Sequence, residues 1–387
     1  MTDHLAANRT LRSALALQDL GERPRYVVAV PVRNEEDRIV ACLQALARQV
    51  DGVGHRLPAR QYGVVLLCNG CTDGSWQRIV ATLPSLPAAI WAVEAELGAG
   101  LDHAGGARAA ALGLAADLAS RAPLGVVLTT DADTVVPADW IWRAASVLDA
   151  GRDAVAGVAE VRAEDFAALS PDFLARHQLE TRYTALLDEL DARADPVAHD
   201  PWPSHRGCHG ANLAIRCEAL RALGPLPMPA CGEDRAIIAA LKRRDLRVRH
   251  DPDWRVTTSG RLHGRAAGGM ADTLRQRHDA IDAPCDEGLE SAVAAHFRAT
   301  TRARLRRMHA CGRMPDAREV GRWLDMPPAT VDPAIVRSSF GELWHWLEAH
   351  VPRLHRHVLS PSALPREIAR AKRLLASLGA AGTEMAA

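Results

Sequence analysis

The stretch Val126-Val127-Leu128-Thr129-Thr130-Asp131-Ala132-Asp133 decides how this chain is read. An apolar, strand-forming run ends in two carboxylates spaced i, i+2. Side chains two apart on an extended strand point to one side. Asp131 and Asp133 therefore converge at the carboxyl end of a strand, the edge where open α/β sheets place their ligands. Two converging hard-oxygen groups suit a divalent cation such as Mg2+ or Mn2+. The competing assignment is that both acids cap the turn into a helix opened by Pro137.

Elements on either side supply the setting. Residues 26–32, 62–68 and 89–95 read as strands, and 125–130 is the strand that feeds the Asp pair. Ile39, Leu43 and Leu46 fall at helical spacing, so a helix is expected over 36–48. A second helix starts near Asp73-Gly74-Ser75, and an Ala-rich helix covers 105–121. Pro137 suits the first turn of the next helix, and 154–161 is another strand. Strands alternating with helices argue for a mostly parallel sheet flanked by helices, a Rossmann-like α/β architecture. After residue 164 the character changes to a long helix over 172–194, a polar loop over 195–209, a short strand over 212–216 and a helix over 234–244. From residue 283 onward only helical patterns remain, at 289–308, 334–350 and 365–378, and residues 379–387 read as disordered. The expected organisation is an N-terminal helical segment (1–23), a main domain (24–282) and an α-helical C-terminal extension (283–387). The main domain divides into a nucleotide-binding half (24–164) and an acceptor half (165–282). Trp323, Trp344 and Trp346 pack on the core, make a homodimer or cover the acceptor; packing is the default.

Composition excludes several classes. Lys plus Arg number 47 against 47 Asp plus Glu, so nothing points to bulk nucleic-acid binding. No apolar run approaches the roughly 20 residues of a membrane span. Asp3, Arg9, Arg12 and Asp19 interrupt the first 20 residues, which do not read as a secretory signal. Eight Cys in so long a chain make a disulfide framework unexpected, and a reducing cytoplasm fits.

Polar motifs then gather at strand ends. Pro31-Val32-Arg33-Asn34-Glu35-Glu36 follows the first strand: Asn34 or Glu35 suits a ribose and Arg33 a phosphate, or Asn34 caps a helix. Cys68-Asn69-Gly70-Cys71-Thr72-Asp73 makes a tight turn in which Asn69 reads a base edge and Asp73 caps a helix. Its CxxC lacks a second pair at zinc-ribbon spacing. The glycine-rich run Gly98 to Arg108 lacks a dinucleotide fingerprint, since His103 stands where Gly is needed. It suits a loop closing on a diphosphate, with Arg108 as phosphate partner, or a plain connection. Glu233-Asp234 opens an apolar helix and reads as a general base or an N-cap. His263 is a candidate third metal ligand beside the Asp pair. Arg261 and Arg265 suit a departing diphosphate or a solvated basic loop. Trp202, His209 and Asn212 form a candidate acceptor pocket, by stacking and by hydrogen bonds to hydroxyls.

Taken in order, Pro31-Val32-Arg33-Asn34-Glu35, the Asn69 to Ser75 turn, Asp131-Ala132-Asp133 and Glu233-Asp234 resemble the family-2 glycosyltransferases of GT-A fold. The resemblance covers roughly residues 24–265. It implies a hexosyltransferase-like enzyme taking a sugar from a nucleotide-diphospho-sugar. It implies Mn2+ or Mg2+ on Asp131-Ala132-Asp133, a base at Asp234 of the Glu233-Asp234 pair, and in some members a later His ligand, here His263. Residues near Glu35 and Asn69 are implied to hold the nucleoside. The chain departs from the pattern at Cys68-Asn69, where many members carry two Asp. An ionised Asp only accepts hydrogen bonds, whereas Asn also donates. No QxxRW-like motif or C-terminal membrane helices are present, so transfer of one sugar to a small or lipid-linked acceptor is expected rather than polymer extrusion. A retaining transferase and a sugar-phosphate nucleotidyltransferase on a similar fold are the alternatives. The latter usually has a basic glycine-rich loop directly after strand one, where Arg33-Asn34-Glu35-Glu36 stands. An inert binding module would not need the full set of carboxylates.

Overall fold

Runs of Val, Ile, Leu and Ala bounded by Gly, Asn, Asp and Pro become the strands of one sheet in a computed structural model of the chain. It describes residues 9–15, 24–98, 100–167, 169–262, 264, 268–312, 316–335 and 339–384. The strands are β1 (Arg9–Leu15), β2 (Tyr26–Val32), β3 (Tyr62–Asn69), β4 (Ala89–Glu96), β5 (Val126–Thr129), β6 (Ala154–Val161), β7 (Leu213–Arg216) and β8 (Val248–Thr258). Their order is β1-β4-β3-β2-β5-β7-β6-β8. β4, β3, β2 and β5 run parallel, as do β6 and β8, while β1 and β7 are antiparallel to their neighbours. Tyr26 pairs with both Tyr62 and Val126, so the carboxyl ends of β2, β3 and β5 share one edge of the sheet.

Every residue of β3 is buried, as a strand covered on both faces must be. Alternation along β2 sends Val28, Val30 and Val32 to a core with Ile39, Leu43, Trp76, Ile79, Trp140 and Ile141. Val27 and Ala29 face the opposite core, with Ala111, Leu112, Ala115, Leu220, Ile237 and Leu241. The flanking helices include Ile39–Leu46, Ser75–Thr82, Ala104–Ala119, Trp140–Asp149 and Glu233–Arg243. Fully burying each Leu or Ile contributes about 1.5–3 kcal/mol, so this double packing is the main stabilising term.

The chain divides into two compact units. One comprises Met1–Ala168, Gly207–Leu241 and Leu246–Arg275 and contains the sheet; the other comprises Leu169–Arg206, Lys242–Asp245 and Gln276–Ala387. This corrects the expected divisions after residues 164 and 282. Helix Pro171–Ala194 belongs with the C-terminal helices because its Tyr183, Leu187 and Leu190 pack with Leu289, Ala292, Leu364 and Ile368. Within the same unit Trp344 is buried beside Phe340, Leu343 and Leu347, with Trp323 and Trp346 packed against that cluster.

Other expectations also change. The N-terminal segment 1–23 was expected to be helical, yet Arg9–Leu15 is strand β1, which pairs with the otherwise open edge of β4. β8 has no counterpart in the sequence reading. Pro252 and a register shift opposite Gly157/Val158 interrupt its pattern, and an edge strand tolerates both. Pro137 does not open its helix: Trp140 does, its N–H donating to the Pro137 carbonyl at 3.2 Å. Helix Leu364–Glu384 extends through much of the tail expected to be disordered. Among the described residues, no helix is long and apolar enough to cross a membrane.

Candidate active site

The sheet unit brings most of the predicted polar residues to the carboxyl edge of its parallel strands. β5 ends at Thr129, and Asp131 and Asp133 follow with side chains 34% and 13% exposed. Ala132 between them is buried. Asp133 Oδ1 accepts from Thr258 Oγ1 at 3.2 Å, and Thr258 in turn accepts from Thr134 Oγ1 at 3.0 Å. Asp133 Oδ2 lies 3.4 Å from Arg261 Nη2. Burial first, then the negative charges of Asp131 and Glu35, push the Asp133 carboxyl up to about 6, against the pull of Arg261 and Thr258.

Arg108 connects the Asp pair to the second acidic motif. It projects from helix Ala104–Ala119 and is buried. Its Nη2 donates to Asp131 Oδ1 at 2.6 Å and its Nε to Glu233 Oε1 at 2.8 Å. Its Nη1 donates to Thr129 Oγ1 and to the Gly210 carbonyl, both at 2.9 Å. Burial opposes this charge, but Asp131 and Glu233 outweigh it and raise the Arg108 pKa. The expected role of Arg108 as a phosphate arm is therefore revised: its guanidinium is committed to internal partners. Two glycines permit the arrangement. A Cβ on Gly210 would stand 2.5 Å from Arg108 Cζ, and one on Gly105 only 2.0 Å from the Pro229 carbonyl oxygen.

Glu233 is buried and Asp234 half-buried at the start of helix Glu233–Arg243. Asp234 Oδ2 accepts from Gly210 N at 2.9 Å, and Oδ1 from Arg235 N at 2.7 Å. Gly210 thus touches both Arg108 and Asp234, and the half-buried His209 directly precedes it in the chain. Asn212, expected to bind an acceptor, is corrected: it is fully buried in the core. Its Oδ1 accepts from Trp140 Nε1 at 2.8 Å, and its Nδ2 donates to the carbonyls of Trp254 at 2.8 Å and Val158 at 3.0 Å. No donor or acceptor group of that amide is left for a ligand. Trp202 is exposed in the other unit.

At the ends of β2 and β3, Glu35 is buried in a two-pronged ion pair with Arg261, with Nη1 to Oε2 at 2.7 Å. Glu35 is thus paired with a cation rather than presented to a ribose. Asn34 adopts φ +56°, and its Oδ1 accepts from Thr72 N at 2.7 Å, so it staples one turn to the next rather than capping a helix. The helix after it starts only at Ile39. Asp73 accepts from Ser75 N at 2.9 Å at the start of helix Ser75–Thr82. Arg33 and Asn69 both donate to Asp102, a residue of the glycine-rich loop that the sequence did not single out. Pro31 lies near the end of β2. His263 and Arg265 lie outside the described residues. Thr258 and Gly210 also went unrecognised, because nothing local in sequence marks a hydroxyl or a glycine that meets a partner more than 100 residues away.

The family model described as Glycosyl transferase family 2 matches residues 27–223. Among solved structures, the chain is similar to the mannosyltransferase PcManGT from Pyrobaculum calidifontis in complex with GDP-Man and Mn2+, at 20% identity, with 95% of this chain and 88% of that chain covered and a TM-score of 0.44. It is also similar to S. aureus TarS 1-349 in complex with UDP-GlcNAc, at 16% identity, with 85% of this chain and 89% of that chain covered and a TM-score of 0.46. A third is glucosyl-3-phosphoglycerate synthase from Mycobacterium tuberculosis in complex with Mn2+, UDP-Glc and phosphoglyceric acid, at 16% identity, with coverage of 73% and 81% and a TM-score of 0.38. No curated protein matches the chain.

Proposed function

The chain belongs to the family-2 glycosyltransferases, and we propose that it moves a sugar from a nucleotide-diphospho-sugar to an acceptor hydroxyl with inversion, using Asp234 as base. The observation that carries this reading is the run Asp131–Arg108–Glu233, centred on the buried Arg108, which ties the carboxylates after β5 to the residue preceding Asp234. One guanidinium would thereby hold the carboxylates proposed for the donor's cation and the start of the helix that carries the proposed base in fixed relation.

Asp131 and Asp133 would hold Mn2+ or Mg2+. The donor set fits. Asp133 stands among two other carboxylates in a partly buried place that already raises its pKa, and a cation relieves that excess negative charge. Among the described residues, no group of three or more His, Cys, Asp or Glu side chains could hold a metal. The proposed cation would instead be held by these two carboxylates plus substrate phosphates, with His263 as the proposed further ligand. When bound, the cation offsets charge gathering on the departing diphosphate.

The chain's own residues do the rest. Arg261, anchored by Glu35 beside Asp133, and Arg265 would meet the diphosphate, and Arg33 and Asn34 the nucleoside end, with Asn69 buried behind them. The backbone N–H groups of Gly210 and Arg235 orient the Asp234 carboxylate. Asp234 takes the proton of the acceptor hydroxyl as its oxygen bonds to the anomeric carbon and the bond to the diphosphate breaks. His209, next to Gly210, is the proposed acceptor contact, for a small-molecule or lipid-linked acceptor in the cytoplasm.

The test pairs a thermal-shift panel of UDP-, GDP-, CDP- and dTDP-sugars, each with Mn2+, Mg2+ or chelator, with the variant Asp234→Asn. A sugar nucleotide that binds raises the melting temperature in the presence of metal. Asp234→Asn should keep that shift and lose transfer. Turnover retained in Asp234→Asn would remove it as the base; a shift with nucleoside triphosphates alone would favour nucleotidyl transfer.

A further inference from the structure

Three adjacent parallel strands, β2, β3 and β4, end in Arg33, Asn69 and the loop carrying Asp102. Asp102 Oδ1 accepts from Arg33 Nη1 at 3.0 Å and from Asn69 Nδ2 at 3.1 Å. Gly70, at φ +61°, lies against the pair: a Cβ there would be 3.7 Å from Arg33 Nη2 and 3.8 Å from Asp102 Oδ1. Asn69 itself is 2% exposed, and its Oδ1 accepts from Leu97 N at 3.4 Å. Both ends of the Asn69 amide are therefore used within the protein. Asp102 and Arg33 are the outward members of the cluster, with side chains 56% and 40% exposed.

This cluster stands two strand positions from β5, about 10 Å at the usual inter-strand spacing. That separation suits a nucleoside whose diphosphate lies at Asp131 and Asp133. Two donors on Oδ1 fix the Asp102 carboxylate, leaving Oδ2 as an acceptor beside the remaining N–H groups of Arg33. An acceptor next to a donor matches a ring N–H next to a carbonyl. Uracil and thymine carry that pair at N3–H and O4, and guanine carries it at N1–H and O6. Cytosine and adenine have a ring-nitrogen lone pair in the equivalent position, which a carboxylate repels.

We infer that Asp102 reads the donor's base, selecting uracil, thymine or guanine over cytosine or adenine, with Asn69 as a positioning residue beneath it. The inference rests on the sheet edge being the nucleotide-sugar site. Titration calorimetry of the full chain with UDP, dTDP, GDP, CDP and ADP, each with Mn2+, tests it, beside the variant Asp102→Asn. One of UDP, dTDP or GDP should bind at least about tenfold more tightly than CDP and ADP. In Asp102→Asn that nucleotide should weaken about 10- to 100-fold, the range for a hydrogen bond to a charged group. CDP or ADP should hold or gain, because an amide N–H can meet a ring lone pair. The exposed position predicts an unchanged melting temperature without ligand. An unaltered base ranking in Asp102→Asn, or a wild-type preference for CDP or ADP, overturns the assignment while leaving the site in place. Failure of every nucleotide to bind the wild type overturns the site and the assignment together.

Discussion

Replacing Arg108 by Met distinguishes the buried network from the phosphate arm that the sequence suggests. Met fills much of the same volume and removes the charge and every donor. Arg108 and Glu233 have side chains 7% and 9% exposed, so the change strands Glu233 as a buried, unpaired carboxylate. Breaking such a pair costs about 3–5 kcal/mol. Asp131 is 34% exposed and adds only a fraction, because water can resolvate it. The Gly210 carbonyl and Thr129 hydroxyl also lose a donor. The expected loss is about 3–5 kcal/mol, a large share of the roughly 5–15 kcal/mol by which domains are stable. Urea denaturation followed by tryptophan fluorescence measures it, since Trp76, Trp140 and Trp254 all lie in the core of the sheet unit. Arg108→Lys should recover only part of the loss, because an ammonium cannot reproduce the guanidinium fork. Stability within about 0.5 kcal/mol of wild type, combined with lost nucleotide-sugar affinity, would show that Arg108 serves the phosphates and that the network reading is wrong.

Asn212→Ala should destabilise the fold by about 3 kcal/mol or more, since it leaves the Trp140 indole N–H and two carbonyls without their partner. A folded, equally stable variant with a raised acceptor KM would restore Asn212 to the acceptor site. Gly105→Ala should reduce transfer more than donor binding. Its Cβ meets the Pro229 carbonyl at 2.0 Å and must move the segment that leads into Glu233 and Asp234. In the helical unit, burial alone would raise the Asp191 carboxyl, but Arg302, 2.9 Å away, and Arg206 bring it down to about 2 from 3.8. A folded-state pKa below the unfolded value adds stability that is full above about pH 5 and is lost as the pH falls through 4 to 2. This contribution is about 2 kcal/mol. Denaturation across that range should show a smaller acid loss in Arg302→Met, and an identical acid limb would count against the pair.

The strands β2 to β6, the helices between them and the Asp131 and Asp133 pair at a strand's end followed from the sequence, because period, apolar runs and carboxylate spacing are local signals; the link from that pair to Glu233-Asp234 came only with the family resemblance. Residue types also suffice to place an acid pair at a strand's end. Pairing is a different matter. Arg108 looks like a phosphate arm, Glu35 like a ribose acceptor and Asn212 like a hydroxyl binder until the chain brings up Glu233, Arg261 and Trp140 from more than 70 positions away. A charged or amide group buried beside such a partner is consumed by it, since leaving it unpaired costs more than any ligand contact it might make. The edge strands β1 and β8 were likewise hidden: their short or Pro-interrupted patterns make sense only against the neighbouring strand. The sequence by itself determined the family to which the chain belongs and at which edge of a sheet its Asp pair stands. The tertiary structure alone decided which polar groups are occupied by one another, because their partners come from distant parts of the chain.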